Sequence, residues 1–133
     1  MNLYTLCLRI AAPVFVLVAA LHLVLGPAAD VLLGASLPPT ARADPVLDSQ
    51  NRFYGVTFAL YGVLLWLAAT NLDRYRPMLR CLLWVFFAGG LARIVSTVFV
   101  GYPGPWVAAL AVTELVLPPI LLAWMPATPG SNG

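Results

Sequence analysis

Four long apolar segments constrain this chain more than any other feature. They run from about Leu6 to Leu25, Phe53 to Thr70, Met78 to Val100 and Pro105 to Trp124. Each is long enough, or nearly so, to cross the roughly 30 Å of bilayer hydrocarbon as a helix. Lipid offers no hydrogen bonds, so a spanning backbone must satisfy its own polar groups in helices or in a closed barrel. No segment shows strand alternation, which leaves helices. Composition agrees: hydrophobic residues make up 62% of the 133 and charged residues only 9%. A soluble domain carries about a quarter charged residues, and one of this size has no interior large enough for so much apolar surface. The expected fold is all-α, an integral membrane four-helix bundle in a single transmembrane domain over residues 1–133.

The charges give an orientation. All seven basic residues are arginine. Arg9, Arg74, Arg76 and Arg80 fall at the amino terminus and in the loop between the second and third helices. The opposite side holds a long first loop, Gly26 to Asn51, where Arg42 and Arg52 are offset by Asp30, Asp44 and Asp48, and an uncharged loop from Gly101 to Gly104. The positive-inside rule then puts both termini in the cytoplasm and the long first loop outside. The first segment also has the look of a signal peptide ending near Ala28-Ala29. Its apolar run is long for that role, and Cys7 lacks a lipobox, so it is read as an uncleaved helix. Lysine-free, Ala/Leu/Pro-rich usage points to a GC-rich bacterium and hence to a bacterial cytoplasmic membrane. Val31-Leu32-Leu33 and Leu37 predict a short interfacial helix or re-entrant cap within the first loop, ended by Pro38-Pro39. Residues from Met125 to Gly133 are expected to be loose.

Several function classes are excluded at this point. A net charge of +2 without a basic stripe argues against nucleic-acid binding. Two cysteines, Cys7 and Cys81, with one histidine make a poor metal set. Both cysteines are expected to be packing residues, and neither a metal nor another cofactor is expected.

Polar residues inside the spans carry the remaining information. Arg93 and Glu114 are the two charges at depth, and such residues usually face the protein interior. Arg93 lies near the outer end of the third helix and Glu114 near the outer start of the fourth, each roughly 10–14 Å below the boundary. An Arg93–Glu114 pair is therefore expected, read either as a structural tie or as part of an active site. Pro118-Pro119 remove two backbone donors and should bend the fourth helix beside Glu114. At the start of the second helix Asp48 is either an N-cap or a functional acid, with Asn51 and Arg52 at the interface. Tyr54, Phe58 and Tyr61 form an aromatic face, and Gly55, Ala59 and Gly62 a small-residue face suited to close helix contact. His22 sits near the outer end of the first helix and reads as a hydrogen-bonded interface residue or part of a site. His22, Asp48, Asn51, Arg52, Tyr54, Arg93, Ser96, Thr97, Thr113 and Glu114 all map to the outer half, which predicts one pocket under the first loop.

The string Asn51-Arg52-Phe53-Tyr54-Gly55, then Gly90-Leu91-Ala92-Arg93 with Ser96, Gly101-Tyr102-Pro103, and Glu114-Leu115 with Pro118, resembles a bacterial four-helix membrane family known only as a domain of unknown function. The resemblance spans most of the chain and implies the same topology, but no activity. Val56 stands where a second glycine is expected, which predicts looser helix contact there. In size and hydropathy alone the chain is also similar to small actinobacterial membrane terpene cyclases.

Three functions compete. The first is a membrane-embedded enzyme acting on an isoprenoid or related lipid by proton-initiated cyclisation or isomerisation. A carboxyl in apolar surroundings can serve as a Brønsted acid, and aromatic faces can stabilise a carbocation. Its catalytic residues would be Asp48 or Glu114 as acid with Arg93 and Asn51 as orienters; His22, Arg52, Tyr54, Phe58, Tyr61 and Trp106 would bind substrate. The second is a non-catalytic membrane subunit or lipid-binding scaffold with a structural Arg93–Glu114 pair. The third, a transporter or channel component, ranks last because no polar path crosses the inner half. Expected partners are a hydrophobic small molecule or lipid, the membrane lipids and, as an open option, a second copy of the chain.

Overall fold

The computed structural model describes residues 2–127. Among these residues the elements are all helical, in the order α1 (Leu3–Leu25), α2 (Ala28–Leu32), α3 (Pro39–Arg42), α4 (Pro45–Thr70), α5 (Leu72–Val100) and α6 (Pro105–Trp124). Four of them, α1, α4, α5 and α6, are long and apolar enough to cross a membrane. Packing divides the chain into two compact units, Cys7–Leu67 and Met1–Leu6 with Ala68–Gly133.

Helices α4 and α5 begin earlier than their apolar runs. Asp44, not Asp48, caps α4: its carboxylate accepts from the backbone N–H of Val46 at 2.8 Å and Leu47 at 3.1 Å. Pro45 follows, where a missing N–H costs nothing, and Asp48 lies inside the first turn. Asn71 caps α5 by accepting from Arg74 N at 3.1 Å. Asp73 in that first turn complements the positive end of the helix. The 29 residues of α5 extend about 43 Å. That exceeds the hydrocarbon thickness and leaves its charged first turns beyond it. Hydropathy registers only the apolar part of each helix, which is why starts at Phe53 and Met78 were too late.

The connection between α1 and α4 contains two short helices rather than one. The first, α2, ends well before the prolines, at a turn where Gly34 takes φ +104°. Pro39 then opens α3 instead of ending a helix, since its fixed φ suits a first helical position.

In the first unit α1 and α4 run antiparallel and approach through glycine. A Cβ on Gly62 would lie 2.8 Å from the Ala12 carbonyl oxygen, and one on Gly55 3.1 Å from that of Ala19. The small-residue face therefore meets α1 backbone. Val56 points outward and is exposed, so the looser contact expected there does not arise, because Gly55 alone provides the approach. Tyr61 lies on Phe15 of α1, ring centroids 4.8 Å apart.

In the second unit α5 and α6 form a hairpin across Gly101–Gly104, two glycines with φ of +116° and +96°. Leu79, Leu82, Leu83 and Gly90 of α5 are buried, as are Glu114, Pro118 and Leu121 of α6. Helix α6 continues through Pro118-Pro119 to Trp124. Tyr4 packs edge-on against Trp124 at 5.6 Å. Of the tail, Pro126 accepts from Arg76 Nη1 at 2.5 Å, and residues 128–133 lie outside the described residues. Cys7 and Cys81 are free thiols; Cys81 is exposed, so the packing role expected of it is not seen.

Candidate functional site

The expected outer-half residues fall into two groups, one within each unit. In the α5–α6 hairpin Arg93 Nε donates to Glu114 Oε2 at 2.7 Å. Glu114 is buried, whereas the Arg93 side chain keeps 36% of its surface exposed. Gly89-Gly90, one turn before Arg93, makes room for this pair. A Cβ on Gly90 would meet Leu115 Cγ at 2.8 Å and Glu114 Cβ at 3.1 Å. Thr97 and Thr113 return their hydroxyl protons to carbonyls of their own helices, those of Arg93 and Ala109, at 2.9 Å each. Trp106 is exposed on the first turn of α6.

The other group surrounds the end of α1. Arg52 holds Asp48 with two nitrogens, Nε at 2.8 Å and Nη2 at 3.0 Å. Its Nη1 reaches across to the Leu23 carbonyl at 2.5 Å. That carbonyl is one of the last four of α1, which lack intrahelical partners. Gly26, with φ +54°, ends α1 by donating to the His22 carbonyl at 3.0 Å. A side chain on Gly26 would collide with the Asp48 carboxylate. Asp48 and Arg52 thus form a clamp fitted to a glycine-terminated helix.

Beside the clamp, His22 is buried with Nδ1 2.8 Å from the Val18 carbonyl. A carbonyl only accepts, so Nδ1 carries a proton and Nε2 faces Asp30 Oδ1 at 3.4 Å. The other oxygen of Asp30 accepts from Asn51 Nδ2. Asn51 is buried, and its Oδ1 has no protein partner among the described residues. Asp30 enters sequence reasoning only as loop charge. Its signal was an acid set within the otherwise apolar Ala28-Ala29-Asp30-Val31-Leu32. Phe58 stands against His22 at 5.6 Å and near Phe15 at 6.5 Å, while Tyr54 pairs instead with the exposed Phe53. The predicted aromatic stripe is thus divided between helix packing and the outer surface.

A cavity of about 350 Å³ lies elsewhere in this unit, between Ala12, Pro13 and Val16 of α1 and Gly62, Val63, Trp66 and Leu67 of α4. Its walls are almost wholly apolar. Nothing in hydropathy marked it, because every lining residue is ordinary for a membrane helix.

These features define a multi-pass helical membrane protein whose polar groups join neighbouring elements within each unit. The match of residues 4–125 to a family model shows that the chain belongs to the family described as domain of unknown function DUF4345. No match was found among curated proteins or among solved structures.

Proposed function

We propose that this protein is a non-catalytic membrane subunit that binds a lipid, with its ion pairs serving as structural ties. One observation carries the reading. Both carboxylates singled out as acids, Glu114 and Asp48, are already engaged as acceptors by guanidinium groups. Carboxylates so engaged are poorly placed to give a proton to an alkene or epoxide. The polar contacts instead join elements: α5 to α6 through Arg93–Glu114, α4 to α1 through Arg52, which Asp48 holds from within α4, and α4 to α2 through Asn51–Asp30. The apolar cavity supplies the binding surface, and its volume falls within the range of small-molecule sites. The arginine distribution supports a bacterial cytoplasmic membrane with both termini inside.

The test is native mass spectrometry of protein released from a mild detergent. Wild type should retain lipid, and Val63→Phe, which fills the cavity, should lose most of it. A chain that never retains lipid would contradict the reading.

A second reading rests on Asp30, an acid that no arginine engages among the described residues. Asp30 is held by Asn51 and faces His22 Nε2, beside an unsatisfied Asn51 oxygen. Such a couple can hold a proton next to a polar substrate group. It favours a proton-initiated isoprenoid cyclase or isomerase with Asp30 and His22, rather than Asp48 or Glu114, as the acid.

A further inference from the structure

The apolar cavity has a charged end. Arg9 precedes Ala12, Pro13 and Val16 at the i, i+3, i+4, i+7 spacing of a single helix face. Its guanidinium carbon lies 5.9 Å from the centre of the Trp66 ring, and Trp66 is itself a wall of the cavity. The slot therefore runs along α1 and α4 and finishes at a fixed positive charge. Arg9 is six residues into α1, roughly 9 Å along it, a depth from which an arginine reaches the interface by snorkelling. Gly62 lets α1 and α4 approach closely along one side of the slot, since a Cβ there would meet the Ala12 carbonyl oxygen at 2.8 Å.

An apolar slot with a guanidinium at its interfacial end is complementary to an amphiphile with one linear chain and an anionic head. Arginine matches phosphate oxygens geometrically, donating two parallel N–H bonds. We propose that the α1–α4 slot is a binding site for an anionic glycerophospholipid, one acyl chain lying against Gly62 and Trp66 and the phosphodiester on Arg9. The assignment rests on the lipid-binding reading and adds the ligand class and the residue that selects it.

The site carries its own reporter. With Trp84, Trp106 and Trp124 changed to Phe, Trp66 is the remaining indole. The full chain is reconstituted in vesicles containing phosphatidylglycerol or phosphatidylcholine, each dibrominated at mid-chain, and quenching is followed against the mole fraction of brominated lipid. Phosphatidylglycerol should half-quench at about a fivefold lower fraction than phosphatidylcholine, the effect of one basic residue near the surface. Arg9→Gln should abolish that preference and Arg9→Lys should retain it, which separates loss of charge from loss of fold. Equal quenching by the two lipids in the wild type, or a preference that survives Arg9→Gln, would overturn the assignment. If the headgroups are equivalent but Val63→Phe still weakens quenching by both, the headgroup assignment fails and lipid binding stands. If neither lipid quenches Trp66 and no lipid is retained on purification, as when a second copy of the chain covers the slot, both fail.

Discussion

At the scale of single residues, the protein places charge in apolar surroundings only where a specific neighbour receives it. Glu114 is buried against Arg93, and removing one partner leaves the other charge uncompensated. Arg93→Leu should therefore destabilise the protein by about 2 kcal/mol, less than a fully buried pair would cost because Arg93 is part-exposed. Arg93→Leu combined with Glu114→Leu should recover most of that loss, measured as unfolding in mixed detergent micelles. A double variant no more stable than Arg93→Leu would argue that the pair does more than offset itself. Gly26 offers a second test at this scale. Gly26→Ala places a methyl group in a left-handed conformation and against the Asp48 carboxylate. Gly34→Ala shares the positive-φ strain, but its Cβ would meet open space, so Gly26→Ala should cost more by the added contact with Asp48.

At the scale of elements, caps and close approaches decide what hydropathy cannot. Asp44→Ala should lower stability by about 1 kcal/mol through loss of the α4 cap, whereas Asp48→Ala should loosen the end of α1 while leaving the α4 start intact. Backbone amide exchange over residues 45–48 and 23–26 separates the two effects. Gly62→Val should force α1 and α4 apart, because the new Cβ would sit against a backbone carbonyl that cannot rotate away. A loss of about 1–3 kcal/mol is expected, as for other overpacked contacts. The four spans were legible because twenty apolar residues in a row have only one economical structure in lipid. The glycine face was legible for a related reason, since small residues at helical spacing leave room for another backbone. Of the two roles the sequence allows Asp48, the cap falls to Asp44 instead, because an acid before an apolar run has the same appearance whether it opens the helix or lies one turn in. Asp30 was missed because its role depends on two residues distant in sequence, Asn51 and His22, that no local pattern brings together.

At the scale of the whole molecule, the family assignment covers nearly the full chain and carries no activity with it. The functional reading therefore rests on how the polar groups are used. In each unit they connect elements, and the cavity is lined by carbon. Orientation belongs to this scale too. Single cysteines introduced at Asp73 and at Ser36, in a chain whose native cysteines are replaced by serine, should react with an impermeant maleimide from opposite sides of the membrane. Labelling of both from one side would contradict the four-span topology.

On the proposed function, the buried polar groups hold the fold and do no chemistry. The most direct measurement incubates membranes containing wild type, Asp30→Asn, Asp48→Asn or Glu114→Gln with farnesylated and epoxidised prenyl acceptors, and separates the products by chromatography with mass detection. Cyclisation or isomerisation changes retention and leaves mass unaltered. No new equal-mass product is expected from any of the four proteins, with Glu114→Gln merely less stable than wild type. An equal-mass product made by the wild type and lost in one carboxylate variant of unchanged stability would contradict it, and would name the acid.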